Sequence, residues 1–240
     1  MIGDLQSGPT AGRINDRVKI AIFGGAFDPI HSGHVQAAKA AVRRLRLNKV
    51  LFVPTGCPPH KTGNGLIDYH HRFAMVALAC AEDSRFVPST LESPELHAGP
   101  NYSIDTVRRA KRMLKPGDSL YFLIGLDALI DLPHWKQFRQ LLDLTDFIVV
   151  SRPGFDSREV EKSLPRELLD QRPRRNSRQI RLRRTTLHIL PHVEVPVAST
   201  DLRNAIRRKQ SIKGMVPPMV EEYILKEGLY LAAHQLHGGK

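Results

Sequence analysis

The sequence predicts an α/β protein built on one doubly wound, mostly parallel sheet with flanking helices. Short apolar runs alternate with helical patterns, which is typical of consecutive βαβ units. There is no internal repeat and no clear linker, and the hydrophobic share of 41% suits a globular core. We therefore expect a single Rossmann-like domain with a short C-terminal helical piece. In such sheets ligands bind at the carboxyl ends of the strands.

The individual elements are predicted from apolar periodicity and from turn residues. Apolar runs predict strands at 18–23, 50–54, 85–88, 120–124, 147–150 and 186–190. Helical spacing predicts helices at 33–45, 69–81, 104–114, 137–142, 200–209 and 217–226. Pro165 and Pro173 interrupt any long helix before the last strand. We expect a flexible leader at 1–17, a folded domain at 18–230 with a basic variable insertion at about 154–185, and a flexible tail at 231–240.

The positive charge of the chain is concentrated in one segment. The net charge is +12, and residues 172–184 hold seven arginines and no acidic residue. Without those seven charges the balance falls to +5. The segment is interpreted either as a solvated insertion or as a patch for a polyanion or an acidic partner. It contains no aromatic residue that could stack on a base, so we do not expect nucleic acid to be the principal partner.

The remaining composition indicates a cytoplasmic protein. No apolar run approaches the roughly 20 residues of a membrane span, so no membrane partner is expected. The first residues lack the apolar centre of a signal peptide. Cys57 and Cys80 have no ligand-like spacing, and two cysteines do not form a disulfide framework.

The stretch "FGGAFDPIHSGH", residues 23–34, is the first motif with chemical content. Two glycines let the chain turn closely against a ligand, and a helix begins near Gly33, where amides and the helix dipole favour an anion. His31 and His34 lie at the same end and can donate hydrogen bonds to phosphate oxygens. We interpret the stretch as a phosphate site. A metal site and a purely structural turn are the alternatives, and no third metal ligand lies nearby in the sequence.

The spacing excludes two other nucleotide motifs and resembles a third. There is no G-x-x-x-x-G-K-[ST] sequence and no full G-x-G-x-x-G after the strand. The stretch resembles the signature of the HxGH nucleotidyltransferases, which transfer a nucleotidyl group and release pyrophosphate. Their second motif is matched by "VASTDLRNAI", residues 197–206, in which Ser199 and Thr200 are predicted helix N-caps and Arg203 follows in the first turn. Ala198 stands where that family has a serine.

Motifs in the middle of the chain narrow the resemblance. They are "VPTGCPPHK" at 53–61, "GPNYSIDT" at 99–106, "IGLDAL" at 124–129, "LPHWKQF" at 132–138, "VVSRPG" at 149–154 and "YILKEGLY" at 223–230. In this order they resemble the bacterial nicotinate mononucleotide adenylyltransferases, over roughly residues 19–230. The family commonly has Ser-Tyr-Thr where this chain reads Asn101-Tyr102-Ser103.

The resemblance implies a role for each site residue. His31, His34 and Arg203 would be catalytic. The residues implied for ATP are Gly24, Gly25, Phe27 and Gly125, with His31, His34, Ser199, Thr200 and Arg203 near the phosphates. The residues implied for the acceptor are His60, Lys61, Tyr102, Ser103, Asp127, Trp135 and Arg152. The indole of Trp135 would stack on the nicotinate ring, and Asp127 would hold a ribose hydroxyl.

The same resemblance implies the substrates and the metal ion, and it leaves alternative acceptors and the oligomeric state open. ATP and nicotinate mononucleotide are the expected substrates, and Mg²⁺ would enter bound to ATP with no metal-ligating residues of the protein. Nicotinamide mononucleotide is the nearest alternative acceptor, and phosphopantetheine ranks below it. A nucleic-acid-binding or regulatory protein on the same fold is the alternative from another class. The sequence is compatible with a homo-oligomer and does not determine the oligomeric state.

Overall fold

The computed structural model describes residues 17–58, 65–151, 160–162, 164–170, 178–190 and 197–231. Its strands are β1 (Lys19–Gly25), β2 (Lys49–Pro54), β3 (Phe86–Pro88), β4 (Ser119–Gly125), β5 (Asp146–Val150), β6 (Gln179–Arg181) and β7 (Thr186–Leu190). Its α-helices are α1 (Ser32–Leu45), α2 (Tyr69–Cys80), α3 (Ser103–Arg112), α4 (Leu126–Ile130), α5 (Phe138–Leu144), α6 (Ser199–Arg207) and α7 (Pro218–Lys226). Short 3₁₀ helices occupy Leu132–His134 and Arg166–Leu168.

The strands form one sheet in the order β3-β2-β1-β4-β5-β7-β6. Every pairing is parallel except that of β6, which runs antiparallel to β7. β1 lies between β2 and β4, and Ile22 is in register with both Leu51 and Phe122. The strand order reverses on either side of β1, which opens a crevice at the carboxyl ends of β1 and β4.

Two apolar layers cover the two faces of the sheet. Side chains along β1 alternate between them: Ala21 and Phe23 join one buried cluster, and Ile22 joins the other. The first cluster takes the apolar faces of α1, α2, α6 and α7. The second takes those of α3, α4 and α5. Both faces of the sheet are therefore buried, as expected for a parallel sheet.

The predicted fold class is confirmed, and each predicted element lies within two residues of an observed one. Among the described residues one strand and one α-helix were missed, as were the two short 3₁₀ helices. β6 falls inside the predicted basic insertion, so part of that segment is a paired strand and not merely a solvated loop. α4 follows β4 directly and is only five residues long. Among the described helices none has the length and apolar character that crossing a membrane requires.

Candidate active site

The turn after β1 combines open space with a closely held backbone. A Cβ atom on Gly24 would meet no other atom within 4 Å, so this position leaves room beside the strand. Phe27 adopts a positive φ of 47°, and the Asp28–Pro29 peptide bond is cis. Phe27 is 2% exposed, and its ring centroid lies 5.0 Å from that of His34. The Phe27 side chain therefore packs edge-to-face against the His34 ring.

His31 and His34 stack at the start of α1. Their ring centroids are 3.7 Å apart, at an interplanar angle of 31°. The backbone N–H of His31 donates a hydrogen bond of 3.2 Å to Nδ1 of His34. Because Nδ1 is an acceptor there, the neutral ring of His34 carries its proton on Nε2. Nδ1 of His31 is buried and has no hydrogen-bond partner among the described residues.

Burial keeps both imidazoles neutral. Desolvation lowers the pKa of His31 to about 4. The pKa of His34 is lowered well below its usual value, first by burial and then by the charge that His31 would carry. Each ring therefore offers one N–H donor at neutral pH, without prior deprotonation. A bound polyphosphate would raise both values, because an adjacent anion favours the protonated ring.

The lowered pKa of His31 predicts acid sensitivity of the folded state. Because the pKa is lowered in the folded state, the unfolded chain binds a proton more readily than the folded protein as the pH falls from 6.5 towards 4. The free energy of unfolding is therefore unaffected by this group above pH 6.5 and decreases as the pH falls through that range. The loss should reach on the order of 3 kcal/mol at pH 4. Urea unfolding at pH 7 and pH 4.5 should show a smaller drop in free energy of unfolding for His31→Gln than for the wild type. The exposed His70→Gln should behave like the wild type, and equal drops for all three proteins would contradict the assignment.

The second motif packs directly against the first. Ser199, the first residue of α6, donates from Oγ to the Pro29 carbonyl at 3.0 Å. Arg203 donates from Nη1 to the Asp28 carbonyl at 2.6 Å and from Nη2 to the Thr200 hydroxyl at 3.2 Å. The predicted N-caps were wrong: Ala198 is the N-cap, and no side chain caps the helix. The two hydroxyls instead bond to the histidine-bearing turn and to Arg203.

A cavity of about 380 Å³ opens beside this cluster. It lies at the carboxyl ends of β1 and β4, within the usual size range of small-molecule sites. Its lining includes the three glycines predicted to bind ATP, which are Gly24, Gly25 and Gly125. It also includes three of the residues predicted to bind the acceptor, which are Tyr102, Ser103 and Trp135. The predicted glycines and three of the predicted acceptor residues thus lie around one crevice. The other predicted ATP residues are not part of its lining: Phe27, His31, His34, Ser199, Thr200 and Arg203.

Trp135 forms an apolar wall of the cavity. The indole is half-buried and packs edge-to-face on Phe122, with centroids 6.3 Å apart at 82°. Its Nε1–H donates to Asp131 at 3.3 Å, which fixes the ring plane. Asp127 is exposed in the first turn of α4 and does not line the cavity, whereas Asp131 does.

The start of α3 forms another part of the cavity wall. Tyr102 is the N-cap of α3, and Ser103 is its first residue. Amides in the first turn of a helix have no intrahelical acceptor, and the dipole adds positive potential. Lys136 lies with Nζ 4.1 Å from the Tyr102 ring centroid and also lines the cavity. This wall therefore favours a negatively charged group.

Sequence reasoning did not single out several residues of the cavity wall, among them Lys136, Asn101 and Glu92. Lys136 follows the predicted Trp135 but was not singled out. Asn101 is buried and accepts the Cys57 N–H at 2.7 Å, which fixes the loop after β2. Glu92 is 5% exposed and accepts from the Thr106 hydroxyl at 2.5 Å. Burial raises the pKa of Glu92. No local sequence pattern points to Glu92, because its environment comes from distant segments.

Arg72 is a buried cation behind the site that the sequence also did not reveal. It is 2% exposed and donates to three main-chain carbonyls. Nη1 bonds Ala26 and Thr55, each at 2.8 Å, and Nε bonds Ile67 at 3.0 Å. Arg72 therefore ties the turn after β1 to the end of β2. His60, Lys61 and Arg152, three further predicted acceptor contacts, lie outside the described residues.

Comparison with known proteins places this geometry in a family. The family model described as Cytidylyltransferase-like matches residues 22–205. A Solibacter usitatus protein named "Probable nicotinate-nucleotide adenylyltransferase" is 37% identical over 213 residues, which cover 89% of this chain and 100% of that protein. A Moorella thermoacetica protein of the same name is 36% identical over 212 residues, with 88% and 91% coverage.

A solved structure shares the fold. The Plasmodium falciparum nicotinic acid mononucleotide adenylyltransferase complexed with NaAD superposes with a TM-score of 0.68 at 22% identity. The match covers 89% of this chain and 98% of that one. With a family model spanning most of the sheet, and with relatives above 30% identity along nearly their whole length, this chain belongs to the cytidylyltransferase-like family and, within it, to the nicotinate-nucleotide adenylyltransferases.

Proposed function

We propose that the protein transfers the adenylyl group of ATP to nicotinate mononucleotide, giving nicotinate adenine dinucleotide and pyrophosphate in NAD biosynthesis. One observation carries the proposal. The motifs that carry His31 and Arg203 meet at the turn after β1, and the glycines of that turn line a cavity whose wall also contains an indole and a helix start. A triphosphate fits the turn beside His31 and Arg203, and a flat ring bearing a carboxylate fits the cavity wall formed by the indole and the helix start. The named relatives support the same assignment.

The reaction needs positioning and charge stabilisation more than proton transfer. A phosphate oxygen of the acceptor forms a bond to the α-phosphorus, and the bond from that phosphorus to the bridging oxygen breaks. Pyrophosphate leaves with the electron pair. The attacking phosphate is already an anion at neutral pH, so no general base is required. Nε2–H of His34, the N–H of His31 and the guanidinium of Arg203 would donate to the oxygens on which charge accumulates.

Magnesium enters the proposal as part of the nucleotide substrate. Among the described residues no group of three His, Cys, Asp or Glu side chains is placed to hold a metal ion. We therefore assign Mg²⁺ to the oxygens of ATP and to water. Bound there, it would neutralise charge on the triphosphate. The proposed compartment is the cytoplasm, and the free thiols of Cys57 and Cys80 are compatible with it.

Preference for the acid over the amide would arise at the wall around Tyr102. The first-turn amides of α3 favour a carboxylate, and Lys136 is the one lysine or arginine that lines the cavity among the described residues. Glu92 lines it too, and its raised pKa weakens the repulsion that it would exert on a bound carboxylate. A neutral carboxamide would gain less from the positive potential at this wall than a carboxylate does.

The test is pyrophosphate release from Mg-ATP, with three acceptors run side by side. Nicotinate mononucleotide should support turnover, nicotinamide mononucleotide should support much less, and phosphopantetheine none. Equal turnover with the acid and the amide would make the protein a general pyridine-nucleotide enzyme. Folded protein that turns over none of the three would refute the proposal. Replacing the exposed Arg183 and Arg184 of the arginine run by glutamine should leave turnover unchanged and so separate catalysis from any polyanion binding by that run.

Removal of the indole should affect the acceptor alone. Trp135→Ala is expected to raise KM for nicotinate mononucleotide by about 10-fold, which corresponds to about 1.4 kcal/mol of lost stacking and burial. KM for ATP should change by less than about twofold, because the indole is not assigned to ATP. Steady-state kinetics with each substrate varied would measure both. Phe138→Ala, a nearby aromatic that does not line the cavity, is the control. Equal shifts in both KM values would place Trp135 elsewhere.

A further inference from the structure

A buried carboxylate lies directly behind the phosphate-binding turn. Asp28 is 2% exposed and belongs to the turn that carries His31. Its Oδ1 accepts a hydrogen bond of 2.9 Å from the hydroxyl of Tyr230. Its Oδ2 has no hydrogen-bond partner among the described residues and lies 3.6 Å from Nη1 of Arg203. A buried carboxylate is costly unless it is paired, so this pair constrains both partners.

Arg203 is held by Asp28 at two points. The same Nη1 donates to the Asp28 carbonyl at 2.6 Å and lies within ion-pair distance of the Asp28 carboxylate. The Nη2 atom bonds Thr200 one turn earlier in α6. A long arginine side chain otherwise samples many rotamers, and these contacts select one of them. The guanidinium thereby stays beside the turn of His31 when no ligand is bound.

The end of α7 presents Tyr230 in a constrained conformation. Gly228 has a φ of 60°, and the amide of Leu229 returns to the Ile224 carbonyl at 3.0 Å, which terminates the helix. Tyr230 itself has a φ of 66°, a region that a bulky residue rarely adopts. Strained backbone of this kind persists only where surrounding contacts determine it. Tyr230 is 6% exposed, and its hydroxyl hydrogen-bonds Asp28.

We propose that Tyr230 and Asp28 are positioning residues that together set the guanidinium of Arg203 for phosphate contact. The inference rests on the proposed function and adds to it a role for the segment that follows α7. Three segments far apart in sequence are joined in a single line of contacts: the helix end orients the carboxylate, and the carboxylate orients the cation. Neither Tyr230 nor Asp28 needs to touch a substrate.

The test is a double-mutant cycle on adenylyl transfer. Tyr230→Phe removes one hydroxyl and should lower kcat about 10-fold, roughly a tenth of the effect of deleting a direct oxyanion donor. In an Arg203→Met background the same change should alter kcat by less than about twofold, because the side chain that it orients is already absent. Asp28→Asn should likewise lower kcat in the wild-type background and leave it nearly unchanged in the Arg203→Met background. It replaces Tyr230→Phe in the cycle if that variant does not fold. Equal losses in the two backgrounds would overturn the proposal, as would wild-type kcat for Tyr230→Phe.

Tyr223→Phe is the matched control. Tyr223 lies within α7, whereas Tyr230 follows its end, and the Tyr223 hydroxyl forms a hydrogen bond of 2.9 Å with His71, a residue outside the phosphate turn. It should keep wild-type kcat, and a loss as large as that of Tyr230→Phe would show that general loosening of α7 is responsible. An inactive wild type would count against the proposed function alone. In that case the same four proteins are compared by their affinity for tripolyphosphate. Additive effects of Tyr230→Phe and Arg203→Met on the binding free energy would overturn the positioning role.

Discussion

His31→Ala and His34→Ala should each lower kcat for adenylyl transfer by on the order of 100-fold or more. Each change removes a neutral N–H donor from the start of α1, where burial has already fixed the protonation state. His34→Ala also removes the acceptor for the His31 amide, so it should be at least as damaging. Single-turnover kinetics with saturating substrates would separate this loss in the chemical step from any change in binding.

An exposed histidine supplies the control for this experiment. His70 lies on α2 with a side chain that is 73% exposed, and its partner is the carboxylate of Glu95. His70→Ala should therefore retain wild-type kcat. A variant of His31 or His34 that keeps full kcat would remove that residue from the proposed mechanism and leave stabilisation of the developing charge to Arg203 and the backbone amides.

Arg72→Met should destabilise the protein by about 3 kcal/mol or more, because it leaves buried carbonyls without a donor. The carbonyls of Ala26, Thr55 and Ile67 each lose a hydrogen bond. Because two of them belong to the turns after β1 and β2, kcat should fall as well. Urea unfolding at pH 7 would give the free-energy change, and the kinetic assay would be run well below the melting temperature.

The control for Arg72 is an arginine outside the core. Arg85→Met removes an exposed guanidinium that donates to both carboxylate oxygens of Asp83, at 2.8 and 2.6 Å, and a surface pair contributes up to about 1 kcal/mol. It should shift the urea midpoint much less than Arg72→Met does. If Arg72→Met is no more destabilising than Arg85→Met, then the three carbonyl contacts do not hold the two turns together.

The parts of the fold that could be predicted are those with local signatures. The alternation of apolar runs with helical patterns and the glycine pair after β1 predicted the crevice, and the comparisons confirm the predicted family. β6 was missed because its three residues lie in an arginine-rich segment, where the apolar signal is confined to Ile180. α4 was missed because five residues show less than two full helical turns.

The contacts behind the site could not be predicted, because they join distant segments. Ser199 was expected to cap its own helix, and its hydroxyl instead bonds Pro29, 170 residues away. Asp28 and Tyr230 are separated by 202 residues, and neither has a neighbour in sequence that suggests the other. The residue types of the site follow from motif and spacing, whereas the side chains that orient them depend on the tertiary fold.

The two margins of the sheet limit how the protein can associate with other chains. One margin is β3, three residues that end in Pro88, and the other is β6, three residues that end in Arg181. A proline lacks the N–H that strand addition requires, and a guanidinium disfavours the approach of a second basic chain. Other molecules of this chain can therefore pair with only three residues at each of these two edge strands. Precipitation by strand exchange should start elsewhere, after partial unfolding has uncovered the longer inner strands.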